Sequence, residues 1–128
     1  MRTKLLAGAV AVAALGAAAL DALAQTKPDV LVKQRQAAMT LQAKYLGPIG
    51  GMLKGSIPYN ADIVARNATF LENLSRMPWD GFDASTQSIK SRAKPEVFSD
   101  AAKFKTASEV FEQAAAKLGA AARAKDEA

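Results

Sequence analysis

An all-α fold is what this 128-residue chain predicts, and three observations carry that expectation. No stretch after residue 25 alternates apolar and polar side chains over a strand's length. β-Branched residues are sparse there, while Ala, Leu, Lys, Gln and Glu, all good helix formers, abound. The segment after Pro95 also places apolar or small residues at Val97, Ala101, Phe104, Ser108, Phe111, Ala115, Leu118 and Ala122, in alternating steps of four and three. A sustained heptad of this kind is the seam of a left-handed helical bundle.

The chain opens on an export signal. Arg2 and Lys4 precede an uncharged run from Leu5 to Leu20, and Ala22-Leu23-Ala24 forms a small-x-small cleavage signature before Gln25. The apolar run is shorter than the roughly 20 residues needed to span a bilayer, and Asp21 interrupts it. The expectation is a leader over 1–24 removed on delivery to a bacterial periplasm, one domain over 25–128, and no membrane attachment afterwards.

The first helix of that domain starts at Pro28, which has no N–H to leave unpaired, and runs to Leu46. Gly47-Pro48 either ends it or kinks it, with Met52 and Leu53 resuming the apolar pattern to about Lys54. Asn60 is a natural N-cap for a second helix whose apolar face takes Ile63, Val64, Asn67, Phe70, Leu71 and Leu74, ending before Pro78. A loop of about 16 residues follows, a length that is usually functional or a crossover. Pro95-Glu96 then opens the third helix, and Lys125-Asp126-Glu127-Ala128 reads as a turn. The third helix offers Phe98, Phe104, Phe111 and Leu118, more apolar surface than three helices with a long crossover can cover. A fourth helix or a partner is expected against it.

Composition removes several function classes. The 17 Lys and Arg against 12 Asp and Glu are scattered, which argues against a nucleic-acid binder. With no Cys there is no disulfide, thiol nucleophile or thiolate metal site, and with no His the commonest general base and metal ligand is gone. Asp62, Glu72, Asp80, Asp100 and Glu109 show no clustered spacing, so the chain is not expected to be an enzyme.

Six segments, in this order and spacing, closely resemble cytochrome c', a periplasmic family that is a standard four-helix bundle with a c-type haem. They are Lys33-Gln34-Arg35-Gln36-Ala37-Ala38-Met39, Gly47-Pro48-Ile49-Gly50, Met52-Leu53-Lys54-Gly55, Ile57-Pro58-Tyr59, Met77-Pro78-Trp79, and Lys94-Pro95-Glu96-Val97-Phe98-Ser99-Asp100. The resemblance spans the whole of 25–128 and implies an antiparallel four-helix bundle of which three helices are present. It also implies haem c, held in the family by a C-x-x-C-H motif on the fourth helix. No such motif occurs in these residues, so covalent attachment within them is chemically impossible. The simplest expectation is a record that stops before that helix, and the alternative is a haem-free relative.

The resemblance assigns roles residue by residue. Arg35 and Gln36 match positions that hydrogen-bond a haem propionate, although by themselves they read as a solvated pair on a surface helix. Met39 matches the residue over the open face of five-coordinate iron, where an apolar side chain without a donor disfavours O₂ yet admits NO or CO; on residues alone it reads as core. Trp79 and Phe82 match aromatics near the pocket, or cap the bundle end as plugs. Phe104 and Phe111 read as seam packing, and Tyr45 and Tyr59 take no assigned role. The functions implied are electron transfer or small-gas binding, with redox proteins as partners and dimerisation through the first two helices. A haem-free helical module that recruits a partner helix is the second reading.

Overall fold

The computed structural model describes residues 26–125. The export signal expected over 1–24, and the end of the chain at Asp126, Glu127 and Ala128, lie outside them. Three long helices dominate: α1 (Pro28–Leu53), α2 (Ala61–Leu74) and α3 (Ala101–Arg123). Between α2 and α3 the chain makes two 3-10 turns, Trp79–Phe82 and Ala84–Thr86, and one helical turn, Glu96–Ser99. Among the described residues there is no strand, and no helix is long and apolar enough to cross a membrane.

Helix α1 begins on Pro28 and passes through Pro48 without stopping, so of the two courses the sequence allowed, continuation is the one taken. It ends where Gly55 adopts φ +71°, a left-handed backbone that glycine enters without a Cβ clash. The Gly55 N–H then donates to the Met52 carbonyl at 3.1 Å and the Ser56 N–H to the Gly51 carbonyl at 2.9 Å, the paired closure of a Schellman motif. Helix α2 starts as expected: the Asn60 side chain accepts the Ile63 N–H at 3.0 Å.

Helix α2 lies between the other two. Val64 and Ala68 of α2 meet Ala122 of α3 in a core of small side chains, flanked by half-buried Met52, Ala65 and Leu118. Polar clamps fasten α2 to α1. Asn67, 1% exposed, donates through Nδ2 to the Tyr45 carbonyl at 3.1 Å, and Gln42 Nε2 donates to the Leu74 carbonyl at 2.9 Å. Phe70, which spacing had placed on the buried face, is instead 40% exposed and tilts against Tyr45 with ring centroids 4.9 Å apart.

The third helix is not continuous from Pro95. At Asp100 the backbone leaves helical geometry (φ −124°, ψ 60°) and the carboxylate accepts the Lys103 N–H at 3.3 Å, so a side-chain cap restarts the helix at Ala101. Capping at Asp100 outweighs the heptad there. Further along, the seam divides into two rows. Ser108, Ala115 and Ala122 are buried against α2, while Phe104, Phe111 and Leu118 are only half-buried. The reason is geometric: α1 and α3 each pack on α2 but scarcely on one another, so the second row faces the space between them. The unpartnered surface expected from the sequence is this row.

Candidate functional site

The space between α1 and α3 is a groove of about 1020 Å³, near the top of the range of about 300–1,000 Å³ for small-molecule sites. Gln36, Met39 and Ala43 of α1 form one wall, Phe104 and Ala107 of α3 the other, and Phe82 reaches in from the first 3-10 turn. Around it stand four cations, Arg35, Arg92, Lys94 and Lys103, against two carboxylates, Glu96 and Asp100. An apolar trough with a cationic surround suits an amphipathic anion.

Arg35 is the centre of the arrangement. It is 3% exposed, a burial that an Arg tolerates only with its donors satisfied. Its Nη1 donates to the Gly81 carbonyl at 2.8 Å and to Thr86 Oγ1 at 2.9 Å, and its Nη2 donates to Ser91 Oγ at 3.0 Å. The guanidinium carbon stands 4.4 Å from the centre of the Phe82 ring, a cation–π contact. Burial pulls its pKa below the ordinary arginine value, yet a guanidinium stays charged across the working pH range. No ion pair among the described residues involves it. The loop can approach this closely because position 81 is glycine: a Cβ there would lie 2.9 Å from Arg35 Cβ and 3.1 Å from the Leu31 carbonyl oxygen.

Four of the five residues singled out from the sequence, Arg35, Gln36, Met39 and Phe82, line this groove together. Gln36 and Met39 are exposed to it, Met39 one helical turn beyond Arg35. Trp79 does not line it. Its indole N–H donates to the Ser75 carbonyl at 2.6 Å, and its ring packs against Phe82, Phe104 and Phe111 at centroid distances of 6.3, 5.9 and 6.2 Å. Trp79 therefore backs the aromatic wall. Phe104, read from the sequence as seam packing, lines the groove and meets Phe82 at 4.8 Å, because α1 and α3 scarcely pack on one another there. Sequence reasoning missed Gly81, Thr86 and Ser91. The only signal for them was a Ser/Thr-rich loop, which spacing cannot connect to an arginine some fifty residues earlier.

Comparison with known proteins decides the family. The family model described as Cytochrome C' matches residues 30–128. The chain belongs to the cytochrome c' family. A cytochrome c' of Alcaligenes xylosoxydans xylosoxydans is 41% identical over 100 residues, covering 78% of this chain and 77% of that protein. The solved cytochrome c' of Rubrivivax gelatinosus superposes with a TM-score of 0.75 at 37% identity, covering 79% of this chain and 80% of that one. A nitric oxide complex of a leucine-to-alanine variant of cytochrome c prime from Alcaligenes xylosoxidans gives a TM-score of 0.71 at 40% identity over 80% and 79% of the two chains. Cytochrome c' structures are four-helix bundles, and the family is one of haem c proteins.

The residues present fit such a group in part. A buried cation with unspent N–H donors, flat aromatic walls and an apolar trough suit a planar macrocycle with carboxylates on one edge. Thioether-forming cysteines and an axial histidine are not among these 128 residues, so they hold no covalent attachment site.

Proposed function

We propose that the chain is the groove-forming part of a periplasmic haem c protein that transfers electrons or binds small gases such as NO and CO, and that it binds rather than catalyses. The observation that carries this reading is Arg35, a buried cation with no counter-ion among the described residues, opening on an apolar groove of macrocycle size. When bound, haem supplies a one-electron couple and an iron face for a diatomic ligand. Arg35 pairs a carboxylate edge through a charge-assisted hydrogen bond, and Gln36 adds an amide donor. Met39 covers the α1 side of the groove with an apolar side chain that offers bound O₂ no hydrogen bond. Phe82, stacked on Arg35, and Phe104 beside it exclude water from that edge. The resemblance supports redox proteins as partners and a dimer through α1 and α2.

The test is haemin titration of the purified chain, read through Trp79, the single tryptophan, which contacts the groove-lining Phe82 and Phe104. Saturable quenching with one-to-one stoichiometry and a Soret band that shifts on adding NO is expected. Absence of saturation overturns the reading. Haem that stays on this chain in a denaturing gel overturns the statement about attachment.

The same titration addresses the second reading, a haem-free module that recruits a partner helix. It is favoured by a smaller apolar hollow of about 120 Å³ lined by Leu46, Leu71, Phe111 and Leu118. A stable, cooperatively folded chain that ignores haemin supports it.

A further inference from the structure

The second hydroxyl-bearing shell around Arg35 carries more than packing. A guanidinium has five N–H donors. Three are spent on Gly81, Thr86 and Ser91, which leaves the Nε–H and one Nη2–H without an acceptor among the described residues, on a side chain that lines the groove. Each acceptor that holds Arg35 is itself held. Thr86, 1% exposed, donates its own hydroxyl proton to the Asp83 carbonyl at 2.7 Å, so the oxygen lone pairs turn toward Arg35. Ser91 Oγ also accepts the Ala93 N–H at 3.2 Å, which fixes it from the loop side. The Gly81 N–H is tied to the Pro78 carbonyl at 3.2 Å.

We propose that Thr86 and Ser91 are positioning residues: with the Gly81 carbonyl they fix the Arg35 guanidinium so that its two unspent donors present a preset fork to a carboxylate of a flat ligand in the groove. The inference rests on the groove reading above and adds what sets its preference for an acid. A free arginine side chain is a rotamer-rich group, and ordering it at the moment of binding opposes association. Here three anchors have ordered it beforehand. The groove's own carboxylates leave the fork available: Asp100 is engaged in capping Lys103, and Glu96 is exposed and forms no ion pair with Arg35. With neither carboxylate paired to it, Arg35 is free to take its counter-charge from a ligand, and the fork geometry of a guanidinium matches a carboxylate.

The test compares two iron-free probes of the same shape, protoporphyrin IX with its two carboxylic acids and its dimethyl ester, by fluorescence titration of the full chain. The readout is the ratio of the two affinities, which loosening of the fold alone would leave unchanged. Thr86→Val and Ser91→Ala should each weaken the diacid by about five- to tenfold, the size of one lost supporting hydrogen bond, and leave the ester unchanged. Thr86→Ser, which keeps the hydroxyl, should restore the wild-type ratio. An unchanged ratio in both Thr86→Val and Ser91→Ala overturns the proposal while the groove reading stands. Equal affinity of the wild type for acid and ester overturns it as well. Binding of neither probe overturns the groove reading and the proposal together. Should Thr86→Val not fold, Ser91→Ala decides the result, since Ser91 is only half-buried.

Discussion

Substituting Gly81 with alanine tests the close approach of the first 3-10 turn to α1. The added Cβ would stand 2.9 Å from Arg35 Cβ and 3.1 Å from the Leu31 carbonyl oxygen. One obstacle is bonded directly to the backbone and the other is backbone, so neither can rotate away, and the 3-10 turn must lift from α1. Overpacking of this kind costs about 1–3 kcal/mol. The lift also stretches the 2.8 Å bond from Arg35 to the Gly81 carbonyl, a hydrogen bond to a charged group, and weakening it adds about 1 kcal/mol. A loss of about 2–4 kcal/mol in a domain of about 100 residues lowers Tm by roughly 8–32 °C, at about 4–8 °C per kcal/mol. Gly50→Ala is the matched control, because its Cβ meets nothing within 4 Å and it lies inside α1. It should stabilise by about 0.5–1 kcal/mol. Thermal and urea unfolding followed by far-UV circular dichroism measures both. A Gly81→Ala chain as stable as the wild type, or two substitutions that shift stability in the same direction, would refute the reasoning.

Asn60→Ala removes the cap of α2 and should cost about 1 kcal/mol, with the Ile63 amide showing the largest rise in hydrogen exchange. Asn67→Ala leaves the Tyr45 carbonyl without its cross-helix donor and should cost about 1–3 kcal/mol, visible as a lower urea midpoint at unchanged slope. The Asp83 carboxyl is held below the ordinary aspartate value by the Ser85 hydroxyl first and the Ser85 N–H second. A group lowered in the folded state contributes stability above its unfolded pKa of about 3.9, and that contribution is lost as pH falls through the folded value. The protection factor of the Ser85 amide, its exchange relative to the intrinsic rate at each pH, should thus fall as pH drops through that window, and Asp83→Asn should abolish that fall.

Helix identity was readable because it depends on local chemistry. Pro28, Asn60 and the pair Gly55 and Pro58 mark ends through backbone donors and steric limits that operate within one turn of chain. The course through Pro48 was not decided locally, since packing of Ile49 and Met52 outweighs one missing N–H. The break at Asp100 was hidden because a heptad reports only which side chains share a face, and a cap interrupts the backbone without disturbing that register. At the groove, Arg35, Gln36, Met39 and Phe82 were found through their resemblance to a family. Thr86 and Ser91 had no local signature, because their role depends on a fold-back that brings the loop onto α1. The half-covered row of Phe104, Phe111 and Leu118 was anticipated in kind, as surplus apolar surface, but not in place.

Trp79 has a consequence for the mouth of the groove. Its indole N–H donates to the Ser75 carbonyl at the foot of α2, its ring bears on α3 through Phe104 and Phe111, and it leads through Phe82 to Arg35 on α1. The indole thus ties the foot of α2 to the aromatic wall that Phe82 and Phe104 present to the groove. A smaller residue at 79 would take away the ring behind Phe82 and Phe104 and leave both without rear support, while the α1–α2 clamps stay fastened.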